Sequence, residues 1–350
     1  MSNKFRVGVS ASIRRCDGQL LIPEVDLTPL TSDARVQVTS LPDVGQSPLL
    51  AKDIADLDAV ILMLEKVGEH SFTDNQKLLL AARYGVGFDT VDVEACTRHG
   101  VLLATTPEGV RRPVATTVIG LMLALTLRLP CKDRITRQSD SGWATKTDFN
   151  GMGLVGRTLG GVGIGNIGAE VFRLARPFDM KLIAHDPYVD PSLAEELNIT
   201  LVSLDEVFRQ SDILTLNCPL NEETRHLVSA DRLALMKSSS YLINTARGSV
   251  VHEPALIEAL QAGIIAGAGL DVFEQEPTAL NNPLLAMENV ILSPHALCFT
   301  DQCLAGIGAA DVNACLAVLN GGLPDFIVNP AVTEQSCFIQ RQALLRKVFG

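Results

Sequence analysis

Residues 158–187, TLGGVGIGNIGAEVFRLARPFDMKLIAHDP, decide the fold. The segment opens with a short apolar run, passes through Gly163-Ile164-Gly165-Asn166-Ile167-Gly168, and continues with helical spacing over 169–178. It then returns to an apolar run at 181–185 that ends in Asp186. Strand, glycine turn, helix and strand make a βαβ unit. In that context each glycine has a physical task. Gly163 permits the tight turn, Gly165 lets the backbone approach a pyrophosphate, and Gly168 lets helix and strand pack closely, while the helix N-terminus faces the phosphates. Asn166 and Ile167 complete the cofactor-binding turn. Asp186 follows about 20 residues on, where a carboxylate can accept both ribose hydroxyls of NAD and repel a 2'-phosphate. No arginine follows in Asp186-Pro187-Tyr188, so the turn favours NAD over NADP.

Outward from this unit, apolar runs alternate with helix-like stretches, the mark of parallel sheets. One set of expected strands covers 159–164, 181–185, 213–217, 241–244, 266–270 and 290–292. An earlier set covers 6–9, 36–39, 59–64, 78–82 and 101–104. Two sheets imply two domains. Pro107, Gly109 and Pro113 punctuate 105–118 and suggest a hinge before a strong helical pattern. After a second passage near 294–300, residues 301–319 read as one long helix of small residues, and 321–328 can return to the first sheet. The expected architecture is α/β, with two doubly wound parallel-sheet domains. A Rossmann NAD-binding domain, 111–299, is inserted in a discontinuous flavodoxin-like substrate domain formed by 1–110 plus 300–350.

The 350 residues are 47% hydrophobic and 20% charged, with a formal net charge of -11. Such a charge repels a phosphate backbone or an anionic bilayer, so neither nucleic acid nor membrane is an expected partner. The apolar stretch 118–127 is too short to span a bilayer, and the opening segment reads as a first strand rather than a secretory signal. Eight cysteines lie scattered without a CxxC pair. That pattern suggests reduced thiols, a cytoplasmic setting and no metal site.

Three further segments carry a resemblance: Asn244-Thr245-Ala246-Arg247-Gly248, Asp271-Val272-Phe273-Glu274-Gln275-Glu276-Pro277 and Ser293-Pro294-His295. With the glycine turn, they resemble the D-isomer-specific 2-hydroxyacid dehydrogenase family. The likeness extends to Arg83-Tyr84-Gly85-Val86-Gly87-Phe88-Asp89, Trp143, Leu159-Gly160 and Val328-Asn329-Pro330, in the expected order. It implies an enzyme moving hydride between NAD(H) and C2 of a 2-hydroxy or 2-oxo acid in a cleft between two domains, and a homodimer. The resemblance assigns catalysis to Arg247, Glu276 and His295. It places Asp271 at the nicotinamide, sets Cys218, Pro219 and Thr245 along the cofactor, and makes Gly85-Val86-Gly87 the loop whose amides embrace the substrate carboxylate.

The chemistry calls for the same residue types. Reducing a 2-oxo acid requires a cation for the carboxylate, a proton donor for the carbonyl oxygen and a hydride source. The planar fork of Arg247 matches a carboxylate in two-point contact. His295 can give a proton as hydride arrives and take it back in the oxidative direction. Glu276 would orient the imidazole and favour its charged form.

The chain also departs from the family pattern. Ala296-Leu297-Cys298-Phe299-Thr300 is bulkier than usual after the histidine, and Leu64-Glu65-Lys66 lacks the customary substrate contact. Arg111 or Arg112 would receive a second anionic group on the substrate. A formate or phosphite dehydrogenase and an NAD-sensing, corepressor-like scaffold are the competing readings. Glu276 weighs against formate oxidation, which needs no proton transfer.

Overall fold

The computed structural model describes residues 4–73 and 76–349. The chain forms two compact units: Met1–Val110 with Phe299–Gly350, and Arg111–Cys298. Three helices matter below: α1 (Pro107–Thr126), α2 (Asn166–Ala175) and α3 (Asp301–Leu319).

The first unit holds a five-stranded parallel sheet of β1 (Phe5–Val9), β2 (Val36–Ser40), β3 (Ala59–Leu62), β4 (Leu80–Arg83) and β5 (Leu102–Ala104), in the order β2-β1-β3-β4-β5. Every residue of β3 is buried, as a parallel strand covered on both faces requires. The strand stops two residues short of the expected 59–64. Glu65 Oε2 accepts hydrogen bonds from the Met63 and Leu64 amides (2.8 and 3.1 Å), and its Oε1 accepts one from Ser10 Oγ (2.5 Å). These amides are therefore spent on a side chain instead of a ladder. Beyond α3 the chain returns to the edge of β5, with the Thr105 amide donating to Phe326 O (3.0 Å) and the Val328 amide to Leu103 O (2.8 Å).

Helix α3 is long and apolar enough by composition to cross a membrane, but it is a core helix of the first unit. Cys303, Ile307, Val312, Cys315, Val318 and Leu319 are buried along it, and it packs against β4.

The second unit holds seven parallel strands: β6 (Thr158–Val162), β7 (Lys181–His185), β8 (Thr200–Leu201), β9 (Ile213–Leu216), β10 (Tyr241–Asn244), β11 (Gly267–Leu270) and β12 (Val290–Leu292). Their order is β12-β11-β10-β9-β6-β7-β8. The winding direction reverses between β6 and β9, so the glycine turn that follows β6 stands where doubly wound sheets bind ligands. Neighbouring residues feed opposite faces. Leu242 joins a core with Phe208 and Leu256, whereas Ile243 joins another with Phe172 and Leu121. The edge strand β8 escaped the sequence reading because its two residues are exposed and form no apolar run. The passage expected at 105–118 falls where the two units divide, between Val110 and Arg111. Residues 107–126 form one helix that runs through Pro113. Proline lacks an N–H for the carbonyl four residues back, a loss that one turn of helix can absorb.

Candidate active site

The glycine turn is open and closed in the places a dinucleotide requires. Gly163 has φ +91°, and its amide donates to His185 O (2.9 Å). A Cβ on Gly168 would lie 2.3 Å from Gly163 O, so only glycine lets α2 start against the turn. A Cβ on Gly165 would meet no atom within 4 Å. Gly165 is also the N-cap of α2 and offers no side-chain cap. A helix start facing open space beside a bare backbone fits a bound pyrophosphate. Asn166 and Ile167 occupy the first turn of α2.

Asp186, half-buried at the end of β7, accepts from the Ile164 amide through Oδ2 (2.8 Å) and from the Tyr188 amide through Oδ1 (2.9 Å). It braces the turn while each oxygen keeps a lone pair for a ribose hydroxyl. Burial pushes the Cys218 thiol up to about 11, and the charge of Asp186 adds to the rise. Cys218 is therefore a neutral wall after β9. Pro219 is exposed and Thr245 half-buried in the loops after β9 and β10.

Arg247, Glu276 and His295 all follow strands of this same sheet, and the structure brings them together. His295 Nδ1 and Glu276 Oε2 are 2.8 Å apart, and Glu276 Oε1 accepts from the Phe273 amide (2.9 Å). Burial works against the charged form of Glu276. The bonds from His295 and Phe273, with the charges of His295 and Arg247, outweigh it and hold the carboxyl below its ordinary range. The imidazole stays largely accessible, with 45% of its side-chain surface exposed, which leaves room for a reacting molecule.

The backbone around the trio is tightly organised. His295 has φ +54°, a left-handed conformation that must be held by its surroundings. Asp271 supplies that hold. Its Oδ1 accepts from Ser293 Oγ, from the Ala296 amide (3.0 Å) and from the Leu297 amide (3.2 Å). On the other side, Asn244 is 1% exposed. Its Nδ2 donates to Arg247 O (2.9 Å) and its Oδ1 accepts from the Ala246 amide (3.1 Å), which shapes the Arg247 turn. Gly248 then lets that turn touch the Phe273 carbonyl, from which a Cβ would be only 1.9 Å away.

In the first unit, the Gly85-Val86-Gly87 loop follows β4 with Gly85 at φ +120°. The Gly85 amide is committed to Thr106 Oγ1 (2.9 Å), and Gly85 O accepts from the Thr106 amide (3.0 Å). Among the described residues, neither the Val86 nor the Gly87 amide donates to a protein group. The Gly85 amide is thus spent within the protein.

Residues 119–296 match the family described as D-isomer specific 2-hydroxyacid dehydrogenase, NAD binding domain. The chain is 34% identical over 321 residues to a glyoxylate reductase of Thermococcus litoralis, covering 90% of this chain and 96% of the relative. The chain belongs to the D-isomer specific 2-hydroxyacid dehydrogenase family. It is also 36% identical over 282 residues to a D-3-phosphoglycerate dehydrogenase of Methanocaldococcus jannaschii, but spans only 53% of that protein's length. A crystal structure of D-lactate dehydrogenase from Aquifex aeolicus, complexed with NAD and lactic acid, superposes with a TM-score of 0.78 at 28% identity. That match covers 92% of this chain and 98% of the other. The 2-hydroxyacid dehydrogenase described here is accordingly an NAD-dependent oxidoreductase with two parallel-sheet α/β domains.

Arg112 is bonded to Glu170 on α2, which also pairs with Arg173 (3.5 Å), and the charge of Arg111 acts on the same carboxylate. Burial opposes ionisation of Glu170, and these arginines overcome it. Arg112 is therefore engaged with α2 within its own unit. Asn244 and Thr106, which shape the two loops, were missed by the sequence reading. A polar residue directly before a turn was the available signal, but such residues are common enough that it does not stand out.

Proposed function

We propose that this dehydrogenase reduces a small 2-oxo acid of the glyoxylate type with NADH, and oxidises the corresponding 2-hydroxy acid in reverse. The observation that carries the reading is the 2.8 Å contact between His295 and an ionised Glu276, with the charge of Arg247 acting on the same carboxylate. Bound NADH supplies the hydride. His295 gives the proton that turns the carbonyl oxygen into a hydroxyl, and Glu276 stabilises the imidazolium and fixes which ring nitrogen faces the substrate. Arg247 holds the substrate carboxylate by two-point contact and polarises the adjacent carbonyl. The Val86 and Gly87 amides, supported by Gly85, hold the carboxylate from the first unit's loop. Gly163, Gly165, Asn166, Ile167 and Gly168 hold the pyrophosphate, Asp186 the ribose, Cys218, Pro219 and Thr245 line the cofactor, and Asp271 fixes the nicotinamide end of the site through the His295 turn.

The glyoxylate class is favoured because the chain spans nearly the whole of the glyoxylate reductase it matches and about half of the phosphoglycerate dehydrogenase. The carboxylate of Asp186 and the lack of an arginine in its turn favour NAD over NADP. Exposed Leu129, Trp143 and Val155 on the second unit support a homodimer. The eight cysteines form no disulfide among the described residues, which suits a reducing cytoplasm.

A spectrophotometric screen of 2-oxo acids with NADH and NADPH tests the assignment. Turnover of glyoxylate with NADH is the expected result. His295→Ala should cost on the order of a hundredfold or more in kcat with NADH binding retained. A wild-type protein that binds NADH but turns over no 2-oxo acid would point instead to a dinucleotide sensor.

A further inference from the structure

The inference concerns the residues behind Glu276, and it rests on reading Glu276 and His295 as the acid–base pair. The loop that carries Glu276 leaves β11 and passes through Phe273 and Glu274. Glu274 is held at both ends. Its amide donates to Glu253 Oε2 (3.0 Å), and its Oε1 lies 2.5 Å from His226 Nε2. Glu253 is tied down in turn, because its Oε1 accepts from Asn282 Nδ2 (2.8 Å). Glu274 Oε1 is buried and has no aligned hydrogen bond, so the close approach of the imidazole is what offsets the withdrawal of that oxygen from water.

His226 is fixed independently of this contact. Its amide donates to Ser249 O (2.8 Å), just past Arg247, and the ladder continues with the Val228 amide donating to Val250 O (3.0 Å) and the His252 amide to Val228 O (3.0 Å). Its ring meets the His252 ring edge-on, with centroids 4.9 Å apart. His252 Nδ1 is itself occupied, accepting from the Ala255 amide (3.3 Å) at the start of the helix Glu253–Gln261. The backbone of His226 is left-handed at φ +53°, as that of His295 is at φ +54°. Two glutamates of one loop, two positions apart, are thus each met by a histidine in a costly conformation: Glu274 by His226 and Glu276 by His295. Such strain persists only where the surroundings over-determine it, and it clusters at active sites.

We propose that His226 is a positioning residue for the acid–base pair, holding Glu274 so that the loop keeps Glu276 against His295. A shift of Glu274 carries Glu276 with it, because the two share one short loop. Without His226, the buried Glu274 oxygen gains by turning toward water, and the Glu276 to His295 contact is the one that suffers. The groups that bind substrate are spared. The bond to Ser249 O beside the Arg247 turn comes from the His226 backbone, which a change of side chain leaves in place. Loss of the contact therefore slows proton transfer more than it weakens binding, since catalysis is sensitive to small displacements of a reacting group.

The test is steady-state NADH oxidation with glyoxylate, together with NADH affinity and Tm. It uses the full-length wild type, His226→Asn, His226→Gln, Glu274→Ala and the double variant His226→Asn/Glu274→Ala. Asparagine suits a left-handed backbone but is too short to reach Glu274. His226→Asn should keep Tm near that of the wild type and lower kcat about tenfold, with glyoxylate KM and NADH affinity changed less than about twofold. His226→Gln, whose amide nitrogen extends about as far as the imidazole Nε2, should recover kcat to within about threefold of the wild type. Glu274→Ala should lower kcat in the same way, and the double variant should be no worse than His226→Asn alone. If His226→Asn does not fold, Glu274→Ala carries the same prediction of a fall in kcat with KM and NADH affinity kept. Unchanged kcat in His226→Asn and Glu274→Ala, equal losses in His226→Asn and His226→Gln, or additive losses in the double variant would overturn the proposal while leaving the dehydrogenase assignment intact. A wild type inert toward every 2-oxo acid would instead remove the acid–base reading, and the proposal with it.

Discussion

The glycine turn after β6 and the glycine loop after β4 use the same device, backbone amides exposed at the carboxyl end of a parallel strand, but they reinforce it differently. The turn at Gly163-Gly168 opens directly onto α2, whose N-terminus adds the field of a whole helix. The loop at Gly85-Gly87 does not itself begin a helix. It is tied to Thr106 on one side and backed by the Arg83 guanidinium. A diphosphate spans several atoms and suits a broad, fixed dipole. A single carboxylate is small, and one nearby cation with two amides is enough. The two sites also differ in what they cost the fold. Asp186 braces the turn with both oxygens bonded to amides, whereas the loop spends its own Gly85 amide on the Thr106 hydroxyl.

Substitutions at the turn should break the contrast most severely. Gly168→Ala forces a methyl group to 2.3 Å from Gly163 O. It should cost about 1–3 kcal/mol of stability and abolish measurable NADH binding, both readable by thermal unfolding and fluorescence titration. Gly165→Ala separates fold from ligand, because its Cβ meets nothing in the protein. Tm should hold while NADH affinity falls about tenfold, as the methyl group occupies the ligand's approach. A loss of Tm equal to that of Gly168→Ala would show that the opening beside Gly165 is not a binding surface.

At the loop, Thr106→Val removes the hydroxyl that receives the Gly85 amide. The net loss of about 1 kcal/mol for one hydrogen bond should appear as a several-fold rise in glyoxylate KM with NADH affinity unchanged. An equal loss in NADH affinity would mean that the two anion sites are not independent.

The smallest effect is one of pH. Glu276 ionises below its ordinary value in the folded chain. Its contribution to stability is therefore complete above the unfolded value of about 4.3 and is lost as pH falls through the lower folded value. Between about pH 5 and about pH 3 the wild-type Tm should drop more than that of Glu276→Gln. Parallel Tm curves would exclude the charge pairing.

Much of this was legible in the chain itself, and the reason is local. A glycine turn between an apolar run and a helical repeat can be read because steric demands act between residues close in sequence. Strands buried on both faces betray themselves as continuous apolar runs, as in β3 and β9. The failures were also physical. Strand β3 ended early because Glu65, from beyond its end, captured two amides. The edge strand β8 carried no apolar signal at all.

Residue types and their order determined the fold class, the dinucleotide turn and the identity of the arginine, glutamate and histidine, since these depend on short-range geometry and on which side chains can bind an anion or move a proton. Only the tertiary structure decided that Asp271 holds the His295 turn, that Asn244 shapes the Arg247 turn, and that Thr106 claims the Gly85 amide. Contacts between distant positions are set by how strands and helices pack, and packing leaves no periodic trace in the sequence.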